Sequence, residues 1–307
     1  MRTAYRTART TTGETGDPMR TARLIHRIRQ DLADQALHMD ILDQNIDRFT
    51  LDGEAASHTL PRRRLFGQPV LDVPWMTALG FLDYLASKPG SHVKIAFLNA
   101  HNANMMIQDE EYRTILKDQI VLPDGVGVDL AATLIDGKPF AANLNGTDLV
   151  PALLTFIATP RRVGLIGGRP GVLAGAVANF RRHAPWHEFV PVADGFFDDE
   201  ELPIILERLA EAKIDILLVG MGTPLQEKWV ARHITSRHAR VVLTVGALFD
   251  FVSGSVARAP GWMRRIRFEW LYRLLLEPGR LWRRYLVGIP LFILHTLKYR
   301  RQSRRKP

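Results

Sequence analysis

Ile214-Asp215-Ile216-Leu217-Leu218-Val219-Gly220-Met221-Gly222-Thr223-Pro224-Leu225-Gln226-Glu227 is the stretch that decides the fold. Its first half is a short apolar run, rich in branched side chains and without the alternation of a half-exposed strand. Such a run belongs to a strand buried on both faces. The glycines then stop the strand, and Pro224 suits the first turn of a helix, where its missing N–H costs nothing. A buried strand leading through glycines into a helix is the unit of a parallel α/β sheet.

The same unit recurs on either side. Apolar runs at 93–98, 120–122, 163–166 and 241–245 read as further strands. Helical spacing marks 75–86, 148–158, 172–183, 200–213 and 225–237. The expected fold class is therefore α/β, a Rossmann-like parallel sheet with helices on both faces, over residues 65–257. Residues 1–64 read as a poorly ordered N-terminal extension carrying one helix over 22–46. Met1 to Met19 is rich in Arg and Thr and has no apolar core, so it does not read as a signal peptide. Residues 258–307 read as a basic, aromatic, membrane-associating appendage, with helices expected over 265–276 and 278–285.

Charge separates the appendage from the body. The chain of 307 residues carries a net +9, but Ser255 to Pro307 holds fourteen Lys/Arg against Glu269 and Glu277, leaving the remainder at −3. A basic segment on a mildly acidic body calls for an anionic partner: membrane, nucleic acid or phosphates. There is no cysteine, which excludes disulfides and thiolate metal sites. The most apolar C-terminal run, 286–297, is too short to span a bilayer.

Ligands of parallel sheets bind beyond the carboxyl ends of the strands. After the first of these strands come Asn99, His101, Asn102 and Asn104. The Asn amides suit sugar hydroxyls or a uracil edge, or else cap a helix. After the second comes Pro123-Asp124-Gly125-Val126-Gly127, where Asp124 is either a general base or a turn residue. Gly146-Thr147-Asp148 opens a helix, and Gly167-Gly168-Arg169-Pro170-Gly171 is a turn whose amides either cradle a diphosphate or simply turn the chain. Neither matches a dinucleotide fingerprint or a P-loop. Gln226 and Glu227 sit on a first helical turn facing the strand ends. Asp250 follows the last strand. No Asp-x-Asp occurs anywhere, and Asp198-Asp199 reads as a helix cap.

Taken together and in this order, these segments, with Asn145, Arg258-Ala259-Pro260, Phe268-Glu269-Trp270-Leu271-Tyr272-Arg273 and Glu277-Pro278-Gly279-Arg280, resemble the WecG/TagA/CpsF glycosyltransferases, glycosyltransferase family 26. The resemblance covers about Leu65 to Tyr285. It implies an inverting, metal-independent hexosyltransferase with no cofactor. The donor would be a UDP-sugar and the acceptor a polyprenyl-diphosphate-linked saccharide, at the cytoplasmic face of the inner membrane. Carried over by motif, Asp124 is the catalytic base, and Arg273, Arg280 and Arg283 bind the diphosphate. Asn99, Asn102, Asn143, Thr147, Asp148, Gly167, Gly168, Gly222, Gln226, Glu227 and Asp250 are assigned to donor or acceptor. Two positions depart from the family: Phe97 stands where Thr is common, and Asn143 where Arg is common. Both make the chain resemble the GumM-like exopolysaccharide branch, so glucose-type and N-acetylmannosamine-type donors both stay open. Two rival readings are a nucleic-acid-binding protein using the basic segment and an NAD-dependent nucleotide-sugar-modifying enzyme. The first lacks a helix-turn-helix or RRM signature, so no nucleic-acid partner is expected, and the second lacks its fingerprint. Homo-oligomerisation is left open.

Overall fold

The computed structural model describes residues 60–260, 263 and 269–303. The helix expected over 22–46 lies outside the described residues, as does the first part of the one expected over 265–276. The strands named from sequence form one parallel six-stranded sheet: β3 (Val93–Leu98), β4 (Ile120–Pro123), β5 (Arg162–Gly167), β7 (Ile214–Gly220) and β8 (Ala239–Thr244), joined by β6 (Glu188–Ala193). The order is β4-β3-β8-β7-β5-β6. β6 escaped sequence reading because its burial alternates, as befits an edge strand, instead of running continuously apolar.

Ahead of the sheet stands a small antiparallel hairpin, β1 (Arg62–Leu65) and β2 (Gln68–Leu71), turned by Phe66 and Gly67, both at positive φ. Residues 62–64, assigned from sequence to the N-terminal extension, thus belong to this hairpin. The reason is Arg63. Its guanidinium donates to Asp136 Oδ2 at 2.9 and 3.1 Å and to the Pro139 carbonyl at 2.7 Å. A fork-shaped donor converts what reads as a polar run into an anchor.

Helices cover both faces. α1 (Trp75–Ser87), α5 (Gly146–Phe156) and α6 (Pro170–His183) match the expected segments within a few residues, as do α7 (Leu202–Ala212) and α8 (Leu225–His233). The shorter α2 (Ala100–Gln108), α3 (Glu110–Lys117), α4 (Val126–Asp136) and α9 (Leu248–Ser253) fill the turns after strands. Asp198 caps the turn before α7, accepting from the Glu200 and Glu201 amides at 3.0 Å. One core cluster joins β1, β2, β3 and α2–α4, and another joins β5–β8 with α7 and α8.

The C-terminal segment is built as α10 (Glu269–Leu276), α11 (Pro278–Trp282), a π-helical turn over Arg283–Val287, and α12 (Gly288–Ser303). α12 packs on α2 and α4. Phe292 and Thr296 are buried there, and Asn104 of α2 donates to the Gly288 carbonyl at 2.7 Å. His295 Nδ1 lies 3.1 Å from Asn104 Oδ1. Gly127 lets α4 and α2 approach each other beneath it, since a Cβ there would sit 2.9 Å from that of Ala100. No described helix is long and apolar enough to cross a membrane.

Asp215, part of the family motif, lies at the opposite end of the sheet from the site. It accepts from the Arg162 amide at 2.9 Å and from Arg240 at 2.6 Å, tying three adjacent strands. Gly167 is likewise structural. It sits at φ +125°, and a Cβ there would fall 2.3 Å from the Gly220 carbonyl oxygen. Gly167→Ala should therefore lower the unfolding free energy by about 2 kcal/mol or more, combining backbone strain with overpacking; equilibrium urea denaturation measures it.

Candidate active site

The carboxyl ends of β4, β3, β8 and β7 lie side by side, and the chain's polar strand-end residues collect there. β3 and β4 are paired through Leu98 and Pro123. The Asp124 amide extends that ladder by donating to the Leu98 carbonyl at 2.9 Å. This places Asp124 next to Asn99, whose Nδ2 donates to Asp124 Oδ2 at 3.1 Å. The other end of the same side chain is also engaged, since Asn99 Oδ1 accepts from the Asn102 amide and caps α2. Gly125, at φ +91°, turns the chain away from the carboxylate, and its amide donates to Asn143 Oδ1 at 2.7 Å. Asn143 therefore braces the loop that carries Asp124.

Two cavities meet at Asp124. The larger, about 610 Å³, runs along the strand ends past Phe97, Asn99, Gly222, Gln226 and Gly246, and is closed by Arg273, Arg283 and Arg284. The second, about 400 Å³, lies between α4 and α12 and has Asn143, Asp148 and several apolar side chains on its wall. Asn99, His101, Asp124, Thr147, Arg273 and Arg284 line both. Body and C-terminal segment thus wall the same space, although 160 residues separate Asp124 from Arg284.

The electrostatics follow from this placement. Protein surrounds most of the Asp124 carboxyl, and this desolvation raises its pKa. The Asn99 hydrogen bond and then the charges of Arg284 and Arg273 pull it back, while Asp148 opposes them. His101 is held neutral, its pKa pushed down to about 4 by burial and by Arg284. Asp148 is itself engaged, with Arg258 donating to it at 2.7 Å and Asn145 at 3.0 Å. Asn145, rather than Gly146 or Thr147, is the cap of α5.

The residues singled out from sequence divide accordingly. Asn99, Asn102, Thr147, Gly222 and Gln226 face the larger cavity, and Asn143 and Asp148 the second. Asn102 is also tied inward, donating to the Phe97 carbonyl at 2.8 Å. Gly167, Gly168, Glu227 and Asp250 lie outside both walls. The amide of Gly168 donates to the Gly220 carbonyl at 3.0 Å. Glu227 is buried behind Gln226, accepting from its Nε2 at 2.8 Å and from Thr223 at 3.1 Å. Gln226 Oε1 accepts from the Gly246 amide at 3.1 Å, linking the loops after β7 and β8. Arg273 and Arg283 line the larger cavity, and the side chain of Arg280 lies outside the described residues.

Sequence reading missed Arg284 and His101 as site residues. A helix of 3.6 residues per turn argues for one basic face through 273, 280 and 283. The π-helical turn changes that periodicity and brings Arg284 to the cavity beside Arg283. Among the described residues, no group of three or more His, Cys, Asp or Glu side chains is placed to hold a metal ion.

A profile of the "Glycosyl transferase WecG/TagA/CpsF family" matches residues 63–306. A Bacillus subtilis (strain 168) protein is 31% identical over 240 residues, spanning 75% of this chain and 91% of its own length. It is named N-acetylglucosaminyldiphosphoundecaprenol N-acetyl-beta-D-mannosaminyltransferase. A Bacillus spizizenii (strain ATCC 23059 / NRRL B-14472 / W23) protein of the same name is 30% identical over 238 residues, spanning 73% and 91%.

Asn99→Ala removes both the donor to Asp124 and the cap of α2. The Asp124 pKa should move further up, as read by ¹³C NMR titration of its carboxyl carbon, and stability should fall by about 1 kcal/mol.

Proposed function

The chain belongs to the WecG/TagA/CpsF glycosyltransferase family, and from that premise we propose that it moves a hexosyl group from a UDP-sugar onto a polyprenyl-diphosphate-linked saccharide. The transfer inverts the anomeric centre and needs no metal. The enzyme works as a peripheral protein at the cytoplasmic face of the inner membrane. The observation that carries this reading is the position of Asp124, on the common wall of two cavities and flanked by Arg273 and Arg284.

The acceptor hydroxyl approaches from the second cavity and the donor lies in the larger one. The acceptor oxygen attacks the anomeric carbon while its proton passes to Asp124. The bond from that carbon to the UDP oxygen breaks, and UDP leaves with the electron pair. A base needs a pKa near the working pH, and burial moves Asp124 in that direction. The charge developing on UDP is met by fixed arginines on the cavity wall, which need no reorganisation as the reaction proceeds. Arg273, Arg283 and Arg284 supply that charge, with Arg280 carried by the family motif. Gln226, clamped by Glu227 and the Gly246 amide, holds the far wall of the donor cavity. The relatives' names support an N-acetylmannosaminyl donor. The Phe97 ring on the cavity wall, where the family commonly has Thr, supports a glucosyl one.

Incubation of the enzyme with UDP-glucose, UDP-N-acetylglucosamine and UDP-N-acetylmannosamine, with N-acetylglucosaminyl diphosphoundecaprenol as acceptor, should give one glycosylated lipid by mass spectrometry, insensitive to EDTA. No product with any donor, or manganese-dependent recovery after chelation, contradicts the reading.

Asp124→Asn should lower kcat by about 10³-fold. Its effect on stability has a definite sign. The carboxyl's pKa is raised on folding, so ionisation opposes the fold. That cost is absent below the unfolded-state pKa and complete above the folded one. The variant should therefore melt at or above the wild-type temperature at pH 7, with the difference vanishing at low pH. Arg284→Met should shift the acid limb of the kcat/KM profile upward, because the Asp124 carboxylate loses a nearby cation while Asn99, Arg273 and Asp148 remain.

A further inference from the structure

The second cavity changes character along its length. Its inner end holds Asp124, Arg273 and Arg284. Its outer wall is apolar and comes from two helices in contact. Val126 and Leu130 lie one turn apart on α4, and Ile289, Phe292 and Ile293 share one face of α12. Phe292 is buried, but Val126, Leu130 and Ile293 remain 41%, 46% and 36% exposed. Leu294 and Leu297 extend the apolar surface along α12, at 62% and 38% exposed.

A ligand fitting that gradient is anionic at one end and hydrocarbon at the other. The acceptor class of the preceding section has this shape, and the inference rests on that reading. The relatives' acceptor carries a single sugar on its diphosphate. One hexose and one diphosphate are then all that separates the attacking hydroxyl from the first isoprene. With the hydroxyl at Asp124 and the diphosphate at the arginines, the hydrocarbon begins inside the protein, alongside α4 and α12. A partner helix would lack the anionic end that the arginines require, and a phospholipid would lack the sugar hydroxyl that belongs at Asp124.

We propose that the groove between α4 and α12 seats the diphosphate-proximal isoprene units of the acceptor. The lipid thus leaves the protein between a helix of the α/β body and the C-terminal helix, and Val126 and Leu130 of the body face the bilayer together with α12. Specificity for a polyprenyl carrier then resides partly in the body, apart from the charge of the basic segment.

Calorimetric titration with farnesyl diphosphate and with inorganic diphosphate tests this without requiring turnover. The wild-type protein should bind the farnesyl compound at least about tenfold more tightly, as burial of a few isoprene methylenes demands. Leu130→Asp and Ile293→Asp, both at exposed positions, should retain affinity for inorganic diphosphate and lose most of that preference. Ile204→Asp, at an exposed apolar position on α7, should keep it. Equal affinities in the wild type, an unchanged preference in both groove variants, or equal loss in Ile204→Asp would overturn the proposal. Because the readout is binding, a preference that survives while no donor gives product would indict the transferase reading and leave the groove standing.

Discussion

Everything in this molecule is arranged around the cost of keeping a carboxylate out of water at the tip of a strand. A buried acid either takes up a proton or is given partners. Asp124 is given an amide from Asn99 and two cations from the other end of the chain. The amide is local and comes with the pairing of β3 and β4. The cations are not local and exist at the site only because the C-terminal helices close over it. The balance leaves the acid with a raised proton affinity, which is the property a proton acceptor needs.

The same closure divides the space. Arg273 and Arg284 stand on the partition between a polar cavity along the strand ends and a second one that becomes apolar outward. In the proposed reaction, one set of side chains meets phosphate charge on both reactants while the reacting oxygen lies between them. Asn104 holds the arrangement by reaching from α2 to the backbone of α12. The short π-helical turn offsets the register, and two consecutive arginines reach the cavity wall where an α-helix would turn them further apart.

Much of the sheet was legible in the sequence because doubly buried parallel strands are written as unbroken apolar runs. β3, β5 and β7 come within a residue of their expected limits for that reason. The alternating edge strand β6 and the hairpin anchored by Arg63 were not legible, because neither leaves such a run. Strand-end residues were legible as a group, since polar side chains interrupting apolar segments stand out. Their individual roles were not. Gly167 looks like a phosphate-loop glycine, yet close packing against Gly220 dictates it. Glu227 reads as a ligand-binding residue on a first helical turn facing the strand ends, yet it is buried behind Gln226 and clamps it. Arg284 is indistinguishable from its neighbour in sequence, and only the local change in helical pitch separates the two from ordinary spacing.

The strand order also constrains how the protein comes into being. β8, the last strand in sequence, lies between β3 and β7 near the middle of the sheet. As the chain emerges from the ribosome, β3–β4 and β5–β6–β7 can each pair, but neither group reaches the other until residue 244 has been made. Until then, apolar edges on both halves stand open, and contacts spanning some 150 residues of chain are slow to form. Synthesis must therefore be followed by insertion of a central strand between two halves that are already paired.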